Sequence, residues 1–311
     1  MYFLTDEEKR FVLRRLAPQA RERGVAEELR GWNWDKPPLS PIYDSVRLGV
    51  YEVAGQYCPT GRDVYLRRVL KTIVPATRAM AEGSYLHALL CQIILAAKRL
   101  LYTAETDPLD ALERLQEPAL PPFPAMATSA HEPREVPAEP SLEEKARTLW
   151  TYEYRQIVAR VQQVLARQPR IGTDSLVNLA LPVVVEQKLD GTFLGLSAHL
   201  SVDACIWSEP MVFDVKFGRK EPFHRLSTTG YALVMESIYE YPVNIGCLVY
   251  VSFANGRIFI ERDIHLIDDE LRQWFIESRD ERARSVEEEI DPGMPESCPR
   301  SCMYYRICHP D

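Results

Sequence analysis

The stretch Leu200-Ser-Val-Asp203-Ala-Cys-Ile-Trp207-Ser-Glu-Pro-Met211-Val-Phe-Asp214-Val-Lys216 decides how this chain is read. In its first half Leu200, Val202, Ala204 and Ile206 are apolar, while Ser201 and Asp203 between them are polar. In its second half the parity inverts, with Met211, Phe213 and Val215 apolar and Asp214 and Lys216 charged. Two strands joined at Ser208-Glu209 would set Asp203 opposite Asp214 and Ala204 opposite Phe213, a register in which both face patterns agree. Opposed residues place their Cβ atoms about 4.5–5.5 Å apart. Two carboxylates that close repel unless a cation lies between them, and Lys216 joins them on the same face by the strand's period of two. Such a face suits a hard divalent ion, Mg²⁺ or Mn²⁺, with the lysine to orient water or balance developing charge. The plainer alternative is a solvated face with an ordinary Asp–Lys pair.

Outward from this hairpin, Asp190-Gly191 and Asn255-Gly256 each separate β-rich runs and predict two-residue type I′ turns. Residues 224–240 read as a helix between the strands, and 268–289 as a charged helix after them. Upstream, Thr5 and Glu8 form a capping-box pattern opening a helix over 6–30. Helices are expected over 50–72, 75–103 and 142–168. Eight prolines between Pro108 and Pro140 mark 105–141 as a surface linker or insertion. Helices followed by a β-meander with a helix inside it predict an α+β fold.

The cysteines are distributed as one plus three. Cys58 stands near the front, and Cys298, Cys302 and Cys308 crowd the tail, about 240 residues later. Four thiolates suit an iron–sulfur cluster or a tetrahedral zinc. Zinc ribbons present two close pairs, so this spacing favours the cluster. A group held this way staples the two ends of the chain together and contributes to its stability. Cys91, Cys205 and Cys247 lie in apolar surroundings and are expected in the core. Seven cysteines in a chain of 311 residues speak against a secreted disulfide framework. The start of the chain lacks signal-peptide character, and no apolar run approaches the ~18 residues that span a bilayer. A cytoplasmic protein with no membrane partner is expected.

The net charge of −8 is uneven: residues 1–100 hold 16 Lys/Arg against 11 Asp/Glu. A nucleic-acid surface is therefore expected in the N-terminal third, with Arg62, Arg67, Arg68 and Lys71 as candidate phosphate contacts. A solvated helix face is the alternative reading of those four. No G-x-x-x-x-G-K-[ST] occurs, which excludes a helicase fusion.

The D-x10-D-x-K arrangement of Asp203, Asp214 and Lys216 resembles the metal-binding core of PD-(D/E)xK nucleases. Gly83-Ser-Tyr-Leu-His87 resembles the G-x-x-x-H motif of RecB-type enzymes, and Ser227-Thr-Thr-Gly-Tyr231 their Q-x-x-x-Y helix, with Ser227 in the glutamine place. The order Cys58, His87, Asp203, Asp214-Val-Lys216, Tyr231 and three terminal cysteines resembles the CRISPR-associated Cas-four family of RecB-like iron–sulfur nucleases. Tyr57-Cys58-Pro-Thr-Gly-Arg62 and the Pro-rich insertion resemble its archaeal subtype I-A variant. Asp214 replaces a common glutamate, and the tail carries C-x3-C for C-x2-C.

The resemblance implies a restriction-endonuclease-type α/β core over 142–290. A helical region over 1–104 would precede it, and a cluster-binding tail over 291–311 would follow. It implies a 4Fe–4S cluster, with 2Fe–2S the alternative, on Cys58, Cys298, Cys302 and Cys308. Catalysis falls to Asp203, Asp214 and Lys216. Mn²⁺ or Mg²⁺ would be held by His87, Asp203, Asp214 and the Val215 carbonyl, with Tyr231 a candidate DNA contact. Single-stranded or overhanging DNA would be trimmed for spacer acquisition beside the CRISPR integrase. The competing readings are a non-catalytic iron–sulfur subunit binding DNA or the integrase, and an archaeal repair exonuclease. Glu186 is set aside, because the Asp190-Gly191 turn would place it opposite Gly195, on the order of 25 Å from Asp203.

Overall fold

The computed structural model describes residues 1–105, 107–122, 140–300 and 302–310. Five strands, β1 Val184–Leu189, β2 Leu200–Ile206, β3 Met211–Lys216, β4 Ile245–Ala254 and β5 Arg257–Leu266, form one sheet in sequential order. All neighbours are antiparallel except β3 and β4, which run parallel. The helices are α1 Asp6–Phe11, α2 Ala17–Arg23, α3 Val50–Ala54, α4 Arg62–Arg68, α5 Arg78–Tyr102, α6 Pro108–Leu112, α7 Leu142–Arg167, α8 Thr173–Ala180, α9 Arg225–Tyr239, α10 Asp269–Glu287 and α11 Tyr305–Cys308. The mixed sheet agrees with the α+β expectation, though a parallel pair bridged by α9 replaces the simple meander.

Helices cover both faces. One core joins α5, α7 and α8 to Ala204, Met211, Phe213, Val215, Cys247 and Val249. The other joins α3, α9 and α10 to Leu189, Leu200, Val202, Cys205 and Val212. Val202 and Ala204 should share a face by strand alternation, yet they enter opposite cores. So do Val185 and Leu189. Both strands therefore switch faces at Glu186 and Asp203, where Glu186 has φ +52° and drops out of an otherwise continuous ladder. This kink departs from the uniform apolar face expected for β2, and it aims the two acids away from either core.

The β2–β3 register is the expected one, with Ala204 opposite Phe213 and Ile206 opposite Met211, although the connection runs over Trp207–Pro210. Asn255 (φ +51°) and Gly256 (φ +67°) make the expected tight turn. Asp190-Gly191 does not. Residues 190–199 instead form a long connection docked on Leu48, whose N–H donates to the Gly195 carbonyl at 3.1 Å and whose carbonyl accepts from Ser197 at 2.8 Å. A Cβ on Gly191 would lie 2.7 Å from Leu196 and Leu200 side-chain atoms, so a glycine fits this close approach. Val185 consequently pairs with Ala204 and Leu189 with Leu200, bringing Glu186 beside Asp203.

Other expectations need adjustment. The helix over 6–30 has its capping box but stops at Arg23, before Gly24 at φ +67°. The helix over 50–72 is broken between Gly55 and Gly61, which leaves Cys58 in a loop. Helix α8 was not anticipated. Most of the 105–141 insertion lies outside the described residues, and its described part includes α6. Helix α5 is long and apolar enough to cross a bilayer by length and composition, but it buries Leu86, Leu89, Leu90, Ile93 and Ile94 against α7 and α8 as a core helix.

Burial also fixes the charge state of His265. Only 5% exposed, it meets Thr228 Oγ1 at 3.0 Å through Nε2, and burial pushes its imidazole down to about 4. Because the folded value lies below the unfolded ~6.5, protonation favours the unfolded chain and stability falls as pH drops from ~6.5 toward 4. At pH 5 the loss from this residue is about 2 kcal/mol. Denaturant unfolding of His265→Gln at pH 7 and pH 5 should therefore show a pH-dependent loss smaller than wild type by about that amount.

Candidate functional site

Helix α5 brings His87 to the sheet at the kink. Its Nε2 lies 2.6 Å from Glu186 Oε1, and its Nδ1 lies 3.7 Å from Asp203 Oδ2. Cys91, one turn later on the same helix face, sets Sγ 3.5 Å from His87 Nε2 and 3.9 Å from Glu186 Oε1. Ser201 donates to Glu186 Oε2 at 2.8 Å, and Lys188 pairs with the same oxygen at 3.3 Å. Across the hairpin, the Val215 N–H donates to Asp203 Oδ2 at 2.9 Å. Lys216 Nζ lies 2.8 Å from Asp214 Oδ2, a buried oxygen that accepts no well-aligned hydrogen bond among the described residues.

The electrostatics follow from this crowding. Burial and then the neighbouring Asp214 push the Asp203 carboxyl up. Burial would lower the His87 imidazole, but Cys91, Asp203 and Glu186 outweigh it and push it up to about 10. The carboxylates beside it thus favour the protonated ring. Lys216 behaves similarly: burial opposes its charge, and Asp214 and Asp203 outweigh burial and raise it. Burial would raise Glu186 too, but hydrogen bonds from His87 and Ser201 hold it low. The cations His87 and Lys216 therefore flank three carboxylates on three adjacent strands.

Two tyrosines face the same acids. Burial, then Asp203, Asp214 and Glu186, drive the Tyr231 phenol far up and keep it protonated. Fully buried Tyr2, whose hydroxyl has no hydrogen-bond partner among the described residues, is pushed up by burial and then by Asp203, Cys91 and Asp214. Beside Lys216, Tyr57 pairs its hydroxyl with His224 Nε2 at 2.9 Å, and His224 Nδ1 meets the Tyr250 hydroxyl at 3.2 Å. Ser227 is buried on α9.

The structure thus brings His87, Asp203, Asp214, Val215, Lys216 and Tyr231 to one end of the sheet. It adds Glu186, Cys91, Tyr2 and Tyr57. A tight Asp190-Gly191 turn would keep Glu186 away from Asp203, and the chain does not make that turn. With ten residues in that connection Glu186 falls at the register position of Asp203, between the Val185–Ala204 and Gln187–Val202 pairs.

Cys58, Cys298, Cys302 and Cys308 also converge. Burial raises the Cys302 thiol, and the other three thiols each raise it further. Thr60 Oγ1 donates to the Gly293 carbonyl at 2.8 Å, and Arg62 forms a two-pronged pair with Asp291, tying the start of α4 to the tail. Arg62 also bears on Cys308, and Arg282 on Cys58, with Arg282 Nε and Nη2 buried and without hydrogen-bond partners among the described residues.

The expected phosphate contacts divide. Arg62 is held by Asp291, Arg68 by Glu52 and the Arg47 carbonyl, and Arg67 lies 3.7 Å from both Glu52 and Asp63 and over the Tyr51 ring. These arginines brace the fold, whereas Lys71 is exposed.

Residues 1–310 match the family described as CRISPR-associated exonuclease Csa1. A protein of that name from Saccharolobus solfataricus is 32% identical over 288 residues, covering 93% of this chain and 94% of the relative. Another from Thermoproteus tenax is 30% identical over 298 residues, covering 96% of each. Matched over nearly its full length, the chain belongs to the CRISPR-associated exonuclease Csa1 family.

Proposed function

We propose that this chain is a metal-dependent DNA exonuclease of the PD-(D/E)xK, RecB-like type that serves CRISPR spacer acquisition with the integrase. The observation that carries the reading is the meeting of His87, Asp203, Asp214 and Lys216 at one kink of the sheet. The printed names of the relatives, CRISPR-associated exonuclease, support the reaction and its setting. They favour the CRISPR context over general repair, and the clustered acids favour catalysis over a DNA-binding platform.

The donor set fits a hard cation. Asp214 pushes the Asp203 carboxyl up, and among the described residues Asp214 Oδ2 has no aligned donor, with Lys216 Nζ paired to it at 2.8 Å. His87, Asp203, Asp214 and the Val215 carbonyl would hold Mn²⁺ or Mg²⁺. Such an ion supplies Lewis acidity at the scissile phosphate and a means of activating water at neutral pH. The chain's own residues do the rest. Lys216, kept as an ammonium by the acids, offers its protons to the attacking water or to the charge that develops on the phosphate. Tyr231, kept as a phenol, donates toward the substrate strand. Exposed Lys71 and the exposed Tyr57 ring give the strand a charge and a stacking surface.

Cys58, Cys298, Cys302 and Cys308 would hold the 4Fe–4S cluster, which cross-links the α4 region to the tail. The Arg62 and Arg282 guanidiniums beside the thiols suit an anionic cluster.

Cleavage of labelled single-stranded and overhang DNA should require Mn²⁺ or Mg²⁺ and stop with EDTA. Asp203→Ala and Asp214→Ala should abolish it while iron content stays at wild type. Lys216→Ala should slow turnover about 10²–10³-fold, as removal of a transition-state donor does, with smaller change in DNA binding. Full activity in either aspartate variant would place the chemistry elsewhere.

Protein purified without oxygen should be brown. Alanine at Cys58, Cys298, Cys302 or Cys308 should cost iron and lower the thermal midpoint. A colourless wild-type protein with one zinc and no iron would overturn the cluster assignment.

A further inference from the structure

Cys91 is unused by the nuclease reading, yet its sulfur points into the site. Among the described residues, His87, Cys91 and Glu186 are the one group of three His, Cys, Asp or Glu residues whose ligand atoms all lie within 4.8 Å of one another. We propose that these three side chains form a second metal site, selective for zinc, whose occupancy withdraws His87 from the ion held by Asp203 and Asp214.

The distances are close to those zinc requires. Bond lengths of about 2.0–2.1 Å to nitrogen, 2.3 Å to sulfur and 2.0–2.2 Å to oxygen in a tetrahedron imply N···S and S···O edges of about 3.6 Å and an N···O edge of about 3.4 Å. The observed edges are 3.5 Å from His87 Nε2 to Cys91 Sγ and 3.9 Å from Cys91 Sγ to Glu186 Oε1. Only the 2.6 Å hydrogen bond from His87 to Glu186 must open, by roughly 0.8 Å, as the ion replaces its proton.

The outer groups suit the same ion. Ser201 and Lys188 engage Glu186 Oε2, leaving Oε1 for coordination. Asp203 Oδ2 faces His87 Nδ1 on the far side of the ring, the carboxylate–histidine–metal order that fixes the tautomer of a zinc-bound imidazole. One ligand is a thiol, which selects zinc over Mg²⁺ or Mn²⁺. The three protein donors leave a fourth position for water.

A neutral imidazole has one lone pair. With Nε2 on zinc, Nδ1 keeps its proton toward Asp203 and cannot ligate a hard ion there. Zinc and the nuclease cation therefore compete for His87. That competition rests on the nuclease reading above; the zinc site itself does not.

The test is equilibrium dialysis of the cluster-loaded protein against zinc chloride, with iron measured in the same samples. Wild type should retain one zinc equivalent more than Cys91→Ser or Glu186→Gln, all three keeping equal iron as the sign of an intact fold. Cobalt chloride should give a thiolate-to-cobalt charge-transfer band that Cys91→Ser lacks. Equal zinc in wild type and both variants, or a cobalt band that survives Cys91→Ser, would overturn the site. Manganese binding read by electron paramagnetic resonance should weaken at least about 10-fold in zinc-loaded wild type. Unchanged manganese affinity would overturn the competition. A failure of the nuclease reading would appear instead as unimpaired cleavage by Asp203→Ala, while wild type still retains the extra zinc equivalent.

Discussion

Repulsion among Glu186, Asp203 and Asp214 is the constraint around which this fold is arranged. Three carboxylates on three neighbouring strands cannot share one end of a sheet without cations. Two are built in: His87 from α5 on one side and Lys216 from β3 on the other. Each stays charged against the pull of burial because the acids outweigh it. The backbone contributes as well. The switch of faces at Glu186 and Asp203 keeps both acids out of the apolar layers, and the Val215 N–H fixes one oxygen of Asp203. An ion entering such a place meets carboxylates already oriented and replaces charge that the protein supplies in the meantime.

A second buried charge holds the opposite layer in place. Glu236 on α9 is fully buried and accepts from Arg272 at 2.7 and 2.9 Å, Arg30 at 2.8 Å, the Gly31 N–H at 3.0 Å and the Val243 N–H at 2.9 Å. Breaking a buried pair of this kind by removing one partner costs about 3–5 kcal/mol. The network joins α9 to α10, to the turn before β4 and to the N-terminal segment, and so fixes the helix that carries Tyr231. It also takes up one arginine of the first hundred residues, and two others are paired elsewhere. Arg30 and Arg62 are matched by acids from the later, more acidic part of the chain, and Arg68 by Glu52.

What the sequence revealed and what it concealed divide along the range of the forces involved. The β2–β3 register was legible because both strands alternate beside a short connection, and the Asn255-Gly256 turn because its two residues adopt the required positive φ with open space around the glycine. Asp190-Gly191 carries the same local signal and forms a different structure. Its conformation is set by Leu48, some 140 residues earlier, which holds Gly195 and Ser197 through backbone hydrogen bonds. That distant contact shifts the β1–β2 register and delivers Glu186 to Asp203, so its place could not be read from the turn dipeptide. Cys91 was concealed for a different reason. A cysteine on an apolar helix face reads as core, and it is buried; only the one-turn offset from His87 hints at a shared site.

The proposed cluster and the acid site are linked by a short path. Cys58 follows Tyr57 directly, and the Tyr57 hydroxyl bonds to His224, a buried imidazole that burial pushes down to about 4. Neutral at physiological pH, His224 can join Tyr57 to Tyr250 without adding a charge beside Lys216, its strongest electrostatic neighbour. Tyr250 in turn lies in register with Lys216 across the parallel β3–β4 pair. The loop carrying Cys58 runs from Gly55 to Gly61, between two short helices that α10 supports. A loop of this kind has little cohesion of its own, so an anchor at Cys58 restricts Tyr57 through a single peptide unit. The position of Tyr57 then bears on Lys216 and Tyr250 rather than on His87, which α5 holds independently through the other core. A cluster with no part in the chemistry can thus shape the lysine side of the site and leave the histidine side unchanged.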